Sequence, residues 1–302
     1  FIQTHGCQMN EYDSDKLRAL LGKDLAMDGS AICFSSERSD TATEAEHGID
    51  NASKWLGRAV PEVYSAELSE FVFAAGVKLL AEFKPDVMYL TTTDYIQHKH
   101  APHDAEAKAF YAMFDKYLAQ LDAAGAAIVV TADHGMNSKN DAEGNPKVIY
   151  VQSLLHENFG AEGISVICPI TDPYVVHHGA LGSLVMVHLE DPSRADEMID
   201  FLYRQEGISE VHNREMTALK LELAPDRIGD ICVLSSRDVV LGKTPADHDL
   251  SVLKGGLRSH GGRYEEMVPI LLSEPLNEEY RKIALADPRN FDVFAFACNG
   301  GN

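Results

Sequence analysis

An α/β fold is the class this sequence predicts, on three observations. Short apolar runs alternate with helix-patterned stretches along most of the chain, as expected where helices layer onto a sheet. Of the 302 residues, 45% are hydrophobic, enough for a substantial core. Three apolar runs also lie beside Asp or His residues: Asp94-Tyr95-Ile96-Gln97-His98, Thr131-Ala132-Asp133-His134-Gly135 and Arg258-Ser259-His260-Gly261-Gly262. In open α/β sheets, ligands bind beyond the carboxyl ends of strands.

The elements follow in chain order. Residues 69–83 read as a helix, with Phe71, Ala74, Val77 and Leu80 on related faces, and Pro85-Asp86 punctuates it. Val87-Met88-Tyr89-Leu90 then reads as a buried strand. The spacing predicts a second helix over 105–123, stopped at Gly125. Residues 127–130 read as a second buried strand, and polar 137–147 as a surface loop. Beyond 148 the texture changes to a smaller α+β region, with strands over 165–168, 183–189 and 231–234 and a helix over 194–204. A last strand is expected over 268–272.

Charge and cysteine content narrow the function classes. Against 26 Lys and Arg stand 47 Asp and Glu, a net charge of −21. Such a chain repels nucleic acid and anionic membranes, so neither is expected as a partner. Five cysteines, odd in number and without a C-x-x-C pair, argue against a disulfide framework or a cysteine-rich zinc knuckle. With no run of roughly 18 apolar residues and no leader pattern, a cytoplasmic location is expected.

The candidate chemistry lies in the three Asp/His stretches. Asp94 and His98 are spaced i, i+4, so a helix starting after the strand puts both on one face. A carboxylate oxygen and an imidazole nitrogen then reach one cation, a mixed set suited to zinc. An N-cap aspartate with a surface histidine is the competing reading. Asp133 and His134 are adjacent and can share an ion only at a turn, which Gly135 permits. His260 is flanked by Gly261-Gly262, which allow close backbone approach. Asp94, His98 and His260 are expected to make one three-ligand site, with Asp133 and His134 beginning a second. The pair His177-His178 reads equally as substrate-facing or structural, and His100 and His103 as solvated.

Longer segments carry a resemblance. Residues 31–37 (AICFSSE), 89–99 (YLTTTDYIQHK), 172–180 (DPYVVHHGA) and 257–262 (LRSHGG) are similar to the alkaline phosphatase superfamily, and within it to the phosphonoacetate hydrolases. The resemblance implies a mostly parallel sheet with helices on both faces, lacking its N-terminal strands, plus an inserted α+β cap. The implied layout is a partial metal-binding core over 15–147 and 250–302, with the cap over 148–249. It implies two zinc ions per active site in the family, one complete site being expected here, and hydrolysis of the carbon–phosphorus bond of phosphonoacetate to acetate and phosphate. Asp94, His98 and His260 match the ligands of one zinc, and Asp133 and His134 two ligands of the other. Lys16 matches the second lysine of a substrate-binding pair, with Ser14 where the first is expected. The family's further metal aspartate and its threonine nucleophile have no match, so no catalytic nucleophile is assigned and little or no activity is expected. The partner implied is a small phosphonate, and a homodimer is compatible with the chain.

Residues 1–14 stand apart. FIQTHGCQMNEYDS resembles the opening of the iron–sulfur tRNA methylthiotransferases, with Cys7 at their first cluster cysteine. The C-x-x-x-C-x-x-C motif such a cluster needs is missing. Two alternatives therefore stand beside the hydrolase: a non-catalytic zinc-binding remnant, and a methylthiotransferase fragment.

Overall fold

The computed structural model describes residues 31–170, 181–253 and 256–301. Residues 1–14, Lys16, His177 and His178 lie outside these, so the expectations placed on them have no structural counterpart. The chain divides into two units, one formed by the residues up to Asp133 with those from Val268 onward, the other by His134–Met267.

In the first unit, α1 (Ala66–Phe83) buries Leu68, Phe71, Val72, Ala75 and Leu79, a stripe at three- and four-residue spacing. This face is rotated from the expected one, since Val77 and Leu80 are only partly buried. Pro85 disfavours helical geometry in the residue before it, and Lys84 ends the helix at φ +49° with its N–H on the Leu79 carbonyl. The helix α2 is one short turn (Tyr95–Lys99). The third, α3 (Ala105–Ala123), has the expected bounds and packs on α1 through Phe73 and Phe114, edge to face at 4.6 Å.

Residues 87–90 differ from the buried strand expected there. No strand is assigned to them among the described residues, and burial alternates. Met88 packs against the Phe34–Phe71 cluster and Leu90 lies under α1, whereas Val87 and Tyr89 are 57% and 40% exposed. Gly76 permits this close approach, because a Cβ there would come within 2.5 Å of Leu90 Cδ1. Helix covers one side of the segment only, so period-two side chains divide between core and surface. The strand expected over 127–130 shortens to β1 (Val129–Val130).

The second unit opens with β2 (Asn137–Ser138), β3 (Val148–Tyr150) and α4 (Val151–Phe159). The surface loop expected over 137–147 is corrected in part, since Lys139 within it is fully buried. Next come β4 (Ile164–Ile167), β5 (Leu184–Leu189), α5 (Ala195–Leu202), β6 (Ile208–Asn213), α6 (Arg214–Leu221), β7 (Ile231–Ser235), β8 (Val240–Gly242) and β9 (Arg258–Ser259). Four strands form an antiparallel sheet in the order β4-β5-β7-β6. Alternation sends Val185, Val187, Ile231 and Val233 to a face covered by α4 and α5, through Val151, Leu155, Met198 and Leu202. Leu184, Met186, Cys232 and Leu234 point to the other face, where α6 brings Ala218 and Leu221. The pair β2–β9 is antiparallel and β3–β8 parallel.

The chain returns to the first unit with β10 (Leu271–Leu272), paired antiparallel to β1, followed by α7 (Glu278–Ala286) and α8 (Val293–Asn299). The α/β class holds. The mostly parallel sheet is not what pairs among the described residues, where β3–β8 is the one parallel pair. Residues 87–90 contribute no assigned ladder there, and antiparallel pairings supply the rest. No helix among them is long and apolar enough to cross a membrane.

Candidate metal centre

Asp94 stands immediately before α2 and does not cap it through its side chain. Ile96 anchors the turn in a cluster with Ala107 and Phe110. The i, i+4 spacing then brings Asp94 Oδ2 to 3.0 Å from His98 Nε2, with the His98 side chain 2% exposed. The N-cap reading of Asp94 is thereby set aside. His100 faces Glu106 at 3.6 Å near the surface, in keeping with a solvated residue.

Asp133 closes the first unit and is exposed. It lies within electrostatic reach of Tyr89, whose phenol is pushed above its ordinary range by burial and by the Asp133 charge, against a hydrogen bond to Thr91. Tyr89 carried no functional signal in the sequence.

His134 and His260 belong to the second unit, and the structure brings them together. Their rings stack with centroids 3.6 Å apart and planes 3° from parallel. His134 Nδ1 lies 2.9 Å from the Gly135 carbonyl. A carbonyl only accepts, so Nδ1 carries the hydrogen and the neutral ring keeps its lone pair on Nε2, the form a metal requires. His260 is buried, and its carbonyl accepts the Ser183 N–H at 2.8 Å. The preceding Ser259 hydroxyl donates to the Leu181 carbonyl at 2.7 Å. Gly261 follows at φ +95°, a conformation open to glycine, and a Cβ there would meet Ile170 at 2.7 Å.

Two side chains that matter here were missed in the sequence. Glu265 is buried, and its Oε2 accepts the Gly262 N–H at 3.1 Å while Oε1 lies 3.0 Å from Lys139 Nζ. Glu265 could have been found, since an acid three residues after a turn glycine fits a helix-start pattern. Lys139 offered no signal in its polar run. Burial pulls its ammonium below the usual lysine range, opposed by Glu265. Burial pushes the thiols of half-buried Cys168 and buried Cys232 up, to about 11 and about 12, away from the thiolate form.

With this geometry in place, comparison with known proteins assigns the family. The family model for type I phosphodiesterase / nucleotide pyrophosphatase matches residues 22–262. The chain belongs to that family. Phosphonoacetate hydrolase from Sinorhizobium meliloti 1021, solved in complex with phosphonoformate, is 55% identical to this phosphodiesterase-family chain. The match covers 96% of this chain and 72% of that one, with a TM-score of 0.85. The same enzyme in complex with phosphonoacetate gives 55% and 0.84. The resemblance read from residues 31–37, 89–99 and 257–262 is thereby borne out, and with it membership of the alkaline phosphatase superfamily and of its hydrolases.

A partial similarity is also present. The tRNA-2-methylthio-N(6)-dimethylallyladenosine synthase of Marinomonas sp. (strain MWYL1) is 42% identical over 64 residues, 21% of this chain. The Pseudomonas aeruginosa (strain UCBPP-PA14) synthase is 38% identical over 65 residues. The matched stretch spans only 12% of the Marinomonas protein and 13% of the Pseudomonas one.

Proposed function

We propose that this chain is of the zinc-dependent hydrolase type that acts on the carbon–phosphorus bond of a small phosphonate such as phosphonoacetate, giving acetate and phosphate, with little or no turnover of its own because no residue is assigned as nucleophile. The observation that carries this reading is 55% identity to phosphonoacetate hydrolase across 96% of the chain. In this reading Asp94, His98 and His260 hold one metal, each offering one ligand atom. One carboxylate oxygen with two buried imidazoles is a donor set that fits zinc. Asp133 and His134 contribute to a second, weaker site. Bound zinc would neutralise phosphoryl charge and lower the pKa of the attacking hydroxyl. The chain's own part is to orient these ligands: the α2 turn brings Asp94 and His98 together, and the Gly135 carbonyl fixes the His134 tautomer. Lys16 would meet the substrate carboxylate, residues 148–249 would set substrate choice as a cap, and the nucleophile is unassigned. A cytoplasmic role in phosphonate breakdown belongs to the same proposal.

Two measurements test it: zinc titration calorimetry and phosphate release from phosphonoacetate. His260→Ala is expected to weaken the tighter zinc site about 100-fold, ~2.7 kcal/mol, and to leave the weaker one largely unchanged. Unaltered zinc binding in that variant would sink the metal assignment. Zinc binding without phosphate release would favour the non-catalytic reading. The methylthiotransferase reading has the 64-residue match in its favour, but a net charge of −21 opposes tRNA binding, which rests on phosphate electrostatics.

A further inference from the structure

Beyond the candidate ligands, the second unit holds a buried ion pair. Lys139 Nζ and Glu265 Oε1 lie 3.0 Å apart with side chains 0% and 1% exposed. Replacing such a pair by apolar side chains is often neutral or stabilising, so its presence is weak evidence for a role in stability. Its surroundings point to another role. Glu265 Oε1 also accepts from Asn137 Nδ2 at 2.6 Å, three residues after His134. Its Oε2 accepts the Gly262 N–H, two residues after His260. Its backbone carbonyl accepts the Gly135 N–H at 2.6 Å, one residue after His134. Lys139 Nζ is fixed in turn by the Arg237 carbonyl at 2.8 Å.

We propose that Glu265 is a positioning residue, tying the loop after His134 to the loop after His260 and so setting the parallel stacking of the two imidazoles. Three hydrogen bonds converge from the two loops on this one residue, and Lys139 Nζ holds its Oε1 at 3.0 Å. Loss of the ties frees each ring to rotate about χ1 and χ2, and a ligand set that must be ordered on binding holds its metal more weakly. The metal part of this inference rests on the proposed function. The ring geometry does not.

The test compares two double variants, both free of an unpaired buried ammonium: Lys139→Met/Glu265→Gln and Lys139→Met/Glu265→Ala. The glutamine variant keeps an acceptor for the Gly262 N–H, and the alanine variant does not. The first readout is NMR of the metal-free protein with labelled histidine, where stacked rings shift each other's protons. The second is zinc titration. The alanine variant is expected to lose the stacked shifts of His134 and His260 while the amides of β5 and β7 stay in place, and to bind zinc at least about tenfold more weakly. The glutamine variant is expected to restore both. Stacked shifts that persist in the alanine variant, or that vanish equally in both, would overturn the assignment. Should the alanine variant not fold, Asn137→Ala removes the tie to Glu265 Oε1 together with the Asn137 bonds to the Tyr264 carbonyl and Arg237, and unchanged ring shifts there would count against the proposal. If wild-type protein binds no zinc, the metal assignment falls while the ring shifts still decide the positioning role.

Discussion

Strand β7 and the extended segment 87–90 meet water differently. Every residue of Ile231–Ser235 is buried, because helices pack on both faces of its sheet. In the first unit, Met88 and Leu90 turn toward α1 and its neighbours, while Val87 and Tyr89 are 57% and 40% exposed. The second unit carries its core between strands and helices, and the first carries most of its core between helices. A substitution that opens a strand should therefore damage the second unit, and one that opens a helix contact should damage the first.

The largest effect is expected for Val233→Asp. It places a carboxylate at a position with no exposure, at a cost of roughly 4 kcal/mol or more. Amide exchange should show protection lost across β5, β6 and β7 and retained in α1. Loss of protection in both units together would erase the distinction between them.

Phe73→Ala probes the other side of the contrast. Phe73 is buried and meets the Phe114 and Tyr117 rings. The truncation should cost about 3–5 kcal/mol in urea unfolding and expose α1 and α3 first. A loss under 1 kcal/mol would mean that the helical core is looser than its packing implies.

A smaller effect concerns pH. The Tyr117 hydroxyl, with help from Arg58, holds Glu70 below its ordinary value near 4.5, against the opposing effect of burial. A carboxylate lowered by folding adds stability that is present above about 4.5 and lost as pH falls through its folded value. Tyr117→Phe should therefore make acid unfolding of the first unit less steep below about pH 4.5. An identical acid profile in the variant would remove that hydrogen bond from the account. The smallest change is expected for Leu219→Ser on α6, 72% exposed, with a melting shift corresponding to less than about 0.5 kcal/mol.

These contrasts show why some features were readable in the sequence. Residues 184–187 and 231–234 are continuous apolar runs, and covered strands read that way because both faces are buried. The run 87–90 is just as apolar, yet only its alternate residues are covered, and composition cannot report which face a neighbour covers. Asp94 and His98 were legible because a helical turn converts a spacing of four into proximity. The stacking of His134 on His260 was not, since it joins segments distant in the chain. Lys139 was misread as surface because its partner Glu265 lies 126 residues away, and a polar run gives no sign of a buried ammonium.

That separation has a kinetic consequence. The bonds joining the two histidine loops close segments 126 and 128 residues long. Ordering so long a stretch costs entropy before any bond rewards it. The intervening residues form the four-stranded sheet and its helices, whose assembly draws the loop ends together. On refolding, amide protection in β5 and β7 should precede the ring stacking, which makes the histidine geometry a late acquisition of the chain.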